Sequence, residues 1–188
     1  MSIFTLPDKL PLKSIFQFPG RLCAILTFCK WMERIAISSP SSKFMICMDI
    51  DNTIMKKHTP ISSGVLVYNM ICSLPNVQLI FVTARTEKMR KITEADLLTH
   101  DITKYNKLYM YPTSLPRSAN DVAHFKMKCV EEYSTTYECN TLALIGDSWG
   151  DLVPSPSSLD FSPMDSINSY IIQNTQNTTT LLKLGSQR

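Results

Sequence analysis

Two carboxylates interrupt the most apolar stretch of the chain. Asp49 and Asp51 stand in KFMICMDIDNT (43–53), immediately after FMICM and on either side of Ile50. An apolar run of this kind is typical of a strand that is buried on both faces. A buried carboxylate without a partner is strongly destabilising. We therefore expect either a divalent cation or an opening to solvent at the end of this strand.

Other polar residues follow further strand-like segments. VQLIFVT (77–83) ends in Thr83, and TLALI (141–145) runs into GDSWGD (146–151). Each signal is weak alone, because a strand-terminal threonine often packs and a GDxxxD run often forms a turn. In an open parallel sheet, however, ligands bind at the carboxyl ends of the strands. We therefore expect one site built from residues Asp49, Asp51, Thr83, Lys126, Asp147 and Asp151.

The apolar periodicity predicts strands that alternate with helices. Helices are expected over 21–37, 61–74, 87–98 and 118–133, and strands over 44–50, 77–83, 107–111, 141–145 and 169–173. Thr86 and Ser118 are expected to be N-caps, the latter in a capping box with Asp121. Residues 1–19, with three prolines, and 154–163 are expected to be irregular. This order predicts an α/β fold, with a central parallel sheet and helices on both faces.

Composition limits the class of protein. The chain has 188 residues, 44% of them hydrophobic, which suits one globular domain at 41–188 preceded by an arm and helix at 1–40. A net charge of +3 does not by itself indicate nucleic-acid binding, although the basic excess lies in the first 44 residues. We expect that arm to be solvated, with contact to a polyanion or a membrane surface as the alternative.

Cysteine usage and hydropathy favour a cytoplasmic location. The six cysteines show no CxxC spacing, so we expect reduced thiols and no zinc site. The apolar run Leu22–Cys29 is too short to span a bilayer, and the first twenty residues lack the order of a signal peptide. We expect no stable membrane insertion.

Four motifs together resemble the haloacid dehalogenase (HAD) superfamily of phosphatases. They are DIDNT (49–53), FVTARTEKMRKIT (81–93), SANDVAHFK (118–126) and IGDSWGDL (145–152). The last is most similar to the acid-phosphatase branch, which includes plant vegetative-storage-type and bacterial class B and C acid phosphatases. The resemblance covers about residues 40–153. It implies a three-layer Rossmann-like HAD fold and hydrolysis of phosphomonoesters.

The resemblance also implies roles for the paired carboxylates. Asp49 would attack phosphorus to give an aspartyl-phosphate, which water then hydrolyses. Asp51 would protonate the leaving oxygen and later take a proton from the attacking water.

Phosphate binding is assigned in the same way. Thr83 and nearby backbone N–H groups, including that of Ala84, would hold the phosphoryl oxygens, and Lys126 would supply positive charge. Lys128 is the alternative to Lys126, because a small error in the placement of the helix would exchange them. Arg85 would support the site by pairing with a carboxylate or would contact the substrate.

The metal implied is Mg²⁺, a hard cation that prefers oxygen ligands. Asp49, Asp147 and the Asp51 carbonyl would bind it, with Asp151 supporting that shell. A cation there would offset repulsion between the carboxylates and a phosphate dianion.

The sequence does not specify the substrate. Residues 53–77 leave room for a flap and one helix but hardly for a cap domain, so we expect a largely open site. Such a site could admit a nucleotide or a phosphorylated macromolecule, whereas a small molecule would need a partner subunit to enclose it. A variant of the enzyme hypothesis is removal of a terminal phosphate from a nucleic acid held by the basic arm. A different hypothesis is a catalytically silent HAD-fold protein for storage or binding. The sequence does not specify the oligomeric state.

Overall fold

The computed structural model describes residues 15–18, 21–148, 151–152, 169–173 and 179–184. Residues 1–14, the loop predicted over 154–163, and residues 174–178 of the Asn/Thr-rich run at 174–180 lie outside this part. Trp149, which the sequence predicts to pack rather than to contact substrate, also lies outside it. The helices are α1 (Arg21–Ser38), α2 (Ser62–Cys72), α3 (Arg90–Thr99) and α4 (Ala119–Tyr137), with a 3₁₀ turn at Glu87–Met89. The strands are β1 (Ile15–Phe18), β2 (Phe44–Met48), β3 (Met55–Lys56), β4 (Thr59–Pro60), β5 (Val77–Thr86), β6 (Lys107–Tyr111), β7 (Asn140–Gly146), β8 (Ser169–Gln173) and β9 (Thr180–Lys183).

Seven strands form one mostly parallel sheet in the order β1-β8-β9-β7-β2-β5-β6. The five strands from β9 to β6 run parallel, and β8 is antiparallel to both β1 and β9. The central position belongs to β2, which pairs with β5 on one side and β7 on the other. This architecture confirms the predicted α/β Rossmann-like fold.

The side chains of β2 explain why that strand is central. All five are buried, and they alternate between two apolar clusters on opposite faces of the sheet. Phe44, Ile46 and Met48 pack with residues of α1, α2 and α3, whereas Met45 and Cys47 pack with residues of α4. The sheet is therefore the middle of three layers.

Helix α1 buries most of the apolar stripe that its spacing predicts. That stripe, at three- and four-residue spacing, is Leu22, Ile25, Leu26, Cys29, Met32 and Ala36. Four of its members are buried, together with Ala24 and Phe28, whereas Leu22 and Leu26 are 56% and 45% exposed. Ala24 and Phe28 have the same four-residue spacing as Leu22 and Leu26, so periodicity alone does not select between the two pairs. None of the helices in the described ranges is long and apolar enough to cross a membrane.

The outer strands are the main departure from the predicted elements. β1 lies within the segment predicted to be irregular, and β9 includes Leu181 and Leu182, which were expected only to pack onto the body. Four-residue strands carry little local pattern; β1 pairs with the distant β8, and β9 pairs with β7 as well as with its sequence neighbour β8. Such strands are specified by tertiary pairing more than by local periodicity.

Strand β5 and helix α4 also differ in detail from expectation. β5 was expected to stop at Ala84-Arg85, but it continues to Thr86 after an irregularity in its pairing with β6. Thr86 precedes the 3₁₀ turn without a side-chain capping bond, whereas the capping box of Ser118 and Asp121 is formed as predicted. Helix α4 runs four residues further than expected, to Tyr137.

A small hairpin and one helix fill the chain between β2 and β5. β3 and β4 pair as a two-stranded hairpin, and α2 follows directly. Gly64 in the first turn of α2 packs on the loop after β2, where a Cβ atom would collide with the Thr53 carbonyl and the Ile54 backbone. This close approach explains why a glycine stands inside the helix. The hairpin and α2 together fill the segment, which leaves no room in it for a separate cap domain.

Candidate active site

Asp49 begins the site at the carboxyl end of the central strand. Its backbone N–H donates to the Ile145 carbonyl over 2.9 Å, which extends the pairing between β2 and β7 by one residue. Its side chain is buried, and Thr53 donates a hydrogen bond of 3.4 Å to its Oδ2 atom. The fold therefore fixes this carboxylate at the edge where β2 and β7 end.

Lys126 is the cation at this edge. It lies on the inner face of α4, is only 3% exposed, and its Nζ atom donates to Asp49 Oδ1 over 2.5 Å and also to Asp151 Oδ1. Burial alone lowers the pKa of Lys126, but the two carboxylates outweigh it, so that the pKa is raised and the ammonium stays charged. Lys128, the alternative, is exposed.

A tight turn after β7 brings two more carboxylates to Asp49. Oxygen atoms of Asp49, Asp147 and Asp151 lie within 4.8 Å of one another. The Ser148 N–H donates to Asp151 Oδ2 over 3.0 Å, which folds Asp151 back against Gly146. A Cβ atom at residue 146 would collide with the Asp151 side chain, so only glycine fits there.

The charges of this cluster suit a hard cation. Burial and the neighbouring Asp151 raise the pKa of Asp49 to about 8, although Lys126 acts in the opposite direction. Three carboxylates thus face one ammonium group, and the donor atoms are all oxygen, the donor type that Mg²⁺ prefers. Asp49 and Asp151 each accept hydrogen bonds at both carboxylate oxygens, so these bonds do not rank the carboxylates as ligands.

Asp51 lies two residues further on and is held by Arg85. The Arg85 Nε atom is 3.1 and 3.0 Å from the two Asp51 oxygens, and Nη2 is 2.7 Å from Oδ1. The Asp51 side chain is 43% exposed, whereas the Arg85 side chain is 7% exposed. The irregular pairing of β5 near Ala84 and Arg85 is the kind of bulge that redirects a side chain beside a site.

Thr83 and Ala84 lie at the end of the neighbouring strand. The Thr83 hydroxyl is fully buried and accepts the backbone N–H of Arg85 over 3.1 Å. Arg117, from the loop before α4, donates from Nη2 to the Ala84 carbonyl over 3.0 Å. That contact attaches the loop to the strand end at which Thr83 was expected to bind phosphate.

Several residues beside the site were not found from the sequence. His58 was given no role, yet its Nδ1 atom lies 2.9 Å from Asp96 Oδ2, across 38 positions of sequence. Lys183 is buried in β9 opposite Gly146, at the same edge of the sheet. No local sequence motif predicts the pairing of His58 with Asp96 or the position of Lys183, because both depend on tertiary contacts.

Comparison with known proteins gives one family. A family model described as "HAD superfamily, subfamily IIIB (Acid phosphatase)" matches residues 55–178. The match begins shortly after Asp49 and Asp51 and includes Thr83, Lys126 and Asp147. No curated protein matches the chain significantly.

Among solved structures, one chain of the "Pnkp1/Rnl/Hen1 RNA repair complex" is similar at 17% identity with a TM-score of 0.44. The similarity covers 59% of the present chain and spans 38% of that one.

Proposed function

The chain belongs to the HAD superfamily, subfamily IIIB of acid phosphatases, and from this membership we propose a Mg²⁺-dependent phosphomonoester hydrolase that uses Asp49 as nucleophile. The family makes the chain a phosphatase. The observation that carries the finer proposal is the buried Lys126, which joins Asp49 and Asp151 beside Asp147. Such a cluster combines a nucleophilic carboxylate, a phosphate-binding cation and oxygen ligands at one place.

The first step transfers the phosphoryl group to the chain. An Asp49 oxygen forms a bond to phosphorus while the bond to the leaving oxygen breaks, and Asp51 gives its proton to that oxygen. In the second step, water attacks phosphorus, Asp51 takes a proton from the water, and Asp49 leaves. Phosphate is released and both carboxyl groups return to their starting states. The 43% exposure of the Asp51 side chain supports this role, because the proton must reach both substrate and water.

The phosphoryl oxygens need donors that are already in place. Lys126 is charged and buried, so its attraction to a phosphoryl group is weakly screened by water. The Thr83 hydroxyl uses a lone pair for the Arg85 N–H, which leaves its proton available to donate to a phosphoryl oxygen. The Ala84 backbone N–H would complete this set.

The carboxylates of Asp49 and Asp147 and the Asp51 carbonyl would hold Mg²⁺. Bound there, the cation would neutralise negative charge between carboxylates and substrate. Asp151 would support this set indirectly, with one oxygen accepting from Lys126 and the other from the Ser148 N–H. Its role would be to hold Lys126 and the turn after β7.

The substrate is a phosphorylated molecule, and we propose that it enters an open site. The β3–β4 hairpin and α2 account for the chain between Thr53 and Val77, so this segment holds no separate cap domain. A site without a cap domain would admit nucleotides and phosphorylated macromolecules as well as small phosphomonoesters.

Hydrolysis of an aryl phosphate tests the proposal. With Mg²⁺ present we expect activity for the wild type and a loss of at least about 10³-fold for Asp49→Asn, because the amide is a poor nucleophile. Chelation of divalent cations should reduce wild-type activity similarly. Asp101→Asn, at an exposed carboxylate beyond α3, is the matched control and should remain active.

Two results would contradict the proposal. Equal activity of Asp49→Asn and the wild type would exclude Asp49 as nucleophile. A wild type that is inert on aryl phosphates, nucleotides and phosphorylated oligonucleotides over a range of pH and metal would favour the silent binding protein instead.

A further inference from the structure

Arg85 lies between two carboxylates, and only one of them has a role so far. Its Nε and Nη2 atoms face Asp51, and its Nη1 atom faces Asp96 Oδ2 at 3.5 Å and the Thr93 hydroxyl at 3.3 Å. The Asp96 side chain on α3 is 15% exposed, so this ion pair is largely screened from water. The guanidinium is thus held from both edges of its plane.

The β3–β4 hairpin is attached to the same group. The Lys57 carbonyl accepts from Arg85 Nη2 over 3.1 Å, and His58 donates from Nδ1 to the Asp96 carboxylate. The carbonyl of His58 in turn contacts His100 Nε2 at 2.9 Å. Residues 57 and 58 are therefore attached to β5 and α3 on the side of the site where Asp51 lies.

We propose that Arg85, Asp96 and His58 form a positioning unit, the hairpin clamp, that orients Asp51 for proton transfer. This inference rests on the proposed function. Within the described part of the chain, Arg85 is the side chain that hydrogen-bonds the Asp51 carboxylate. An arginine side chain is long and flexible, and its planar fork directs a carboxylate only when its own rotation is fixed.

Asp96 supplies that fixed rotation. With Asp96 present, the Nη1 edge is attached to α3, and the opposite edge is presented to Asp51 in one orientation. Without it, Arg85 and the half-exposed Asp51 can move together as a pair. A displacement of about 1 Å at a reacting group can reduce a rate by about 10²-fold. Neither Asp96 nor His58 would contact substrate in this scheme.

The dependence of the rate on the leaving group distinguishes a misplaced Asp51 from a generally damaged active site. An alkyl phosphate releases a basic alkoxide and depends on protonation by Asp51, whereas a nitrophenyl phosphate releases a stable phenolate and depends on it much less. Asp51 also takes a proton from water in the second step, which both substrates share, so the comparison must be made on the first step through kcat/KM. A variant that misplaces only Asp51 must therefore lose more kcat/KM on the alkyl substrate. A variant with a generally damaged site must lose activity on both.

The test compares kcat/KM for an alkyl phosphate and for nitrophenyl phosphate in the full chain with Mg²⁺, because kcat/KM reports the step in which the leaving group departs. For Asp96→Asn we expect kcat/KM to fall about tenfold on the alkyl phosphate and less than about threefold on nitrophenyl phosphate. His58→Ala should show the same selectivity at about threefold on the alkyl phosphate. Asp101→Asn, the exposed carboxylate just beyond α3, should change neither.

Equal losses on both substrates, or no loss on either, would overturn the hairpin clamp and leave the proposed function intact. An inert wild type would instead overturn the proposed function and the clamp with it. If Asp96→Asn does not fold, His58→Ala decides by the same ratio, because the His58 side chain is 71% exposed and its removal is well tolerated by a fold.

Discussion

At the scale of single residues, the site depends on an imbalance of charge around Lys126. The ammonium contacts two carboxylates, a third lies within 4.8 Å of them, and both contacted carboxylates are less than a tenth exposed. A buried ion pair adds little to stability, but removal of one partner leaves an unpaired buried charge. Lys126 therefore stabilises the fold in addition to its proposed role in phosphate binding.

Lys126 and Lys128 provide a matched comparison that tests this contribution to stability. We expect Lys126→Met to lower the free energy of unfolding by about 3 kcal/mol, because Asp49 and Asp151 lose their cation, and to abolish phosphatase activity. Lys128→Met, two residues along the same helix and exposed, should change stability by less than about 0.5 kcal/mol. Urea unfolding followed by circular dichroism measures both. A Lys126→Met protein as stable and as active as Lys128→Met would contradict the assignment.

At the scale of elements, the contact between α2 and the loop after β2 fixes the first turn beyond Asp49. Gly64 allows the helix to approach the backbone of Thr53 and Ile54, and Thr53 hydrogen-bonds Asp49. The Ile61 N–H also donates to the Ile54 carbonyl over 2.8 Å. The helix therefore acts as a support behind the nucleophile, although it contributes no side chain to the site.

Substitution of Gly64 tests that support. Within an ordinary helix Gly→Ala stabilises by about 1 kcal/mol, but here the new Cβ would collide with backbone. We expect Gly64→Ala to destabilise the fold by about 2 kcal/mol and to reduce kcat through displacement of the loop. Ser63→Ala, next to it, removes a buried hydroxyl that has no hydrogen-bond partner in the described chain, so it should be neutral or slightly stabilising. Thermal unfolding and steady-state kinetics compare the two, and an opposite order would be incompatible with the close approach.

At the scale of the whole molecule, carboxylates from two neighbouring strand ends couple stability to cation and to pH. The pKa of Asp49 is raised from 3.8 to about 8, chiefly by burial and by Asp151. The folded chain thus holds more protons than the unfolded chain between these values. Through Asp49, the stability of the metal-free protein falls as pH rises across that window.

Magnesium should oppose this fall. At a concentration a hundredfold above its dissociation constant at pH 6, Mg²⁺ should stabilise the fold by about 2.7 kcal/mol. The same concentration should stabilise the fold by more at pH 8, because fewer protons then compete for Asp49. Differential scanning calorimetry with Mg²⁺ or with a chelator measures the shift in Tm. Asp147→Asn should remove most of it. A shift that is the same in Asp147→Asn, or that decreases with pH, would argue against a cation at these carboxylates.

Much of the geometry of this candidate site was predictable from the sequence, because its carboxylates directly follow strands. The apolar run before Asp49 and the segment TLALI before Asp147 marked two strands, β2 and β7, that prove to be neighbours. Parallel pairing then brings their carboxyl ends together without any knowledge of distant contacts. The sequence left the choice between Lys126 and Lys128 open, because that choice depends on the phase of one helix.

The remainder depends on contacts that leave no local pattern. Arg85 was expected to pair with a carboxylate, but the second partner, Asp96, is shared with a histidine 38 residues before it. The strands β1 and β9 are short, and their pairings with β8 and β7, respectively, join distant parts of the chain, so neither alternation nor length distinguished them. Tertiary pairing, which a single sequence shows only indirectly, determines both.

The glycine that precedes the acidic turn restricts how this protein can change. At residue 146 any side chain would occupy the space of the Asp151 side chain. The two positions are therefore coupled, because replacement of the glycine would displace the acid and with it one partner of the buried lysine.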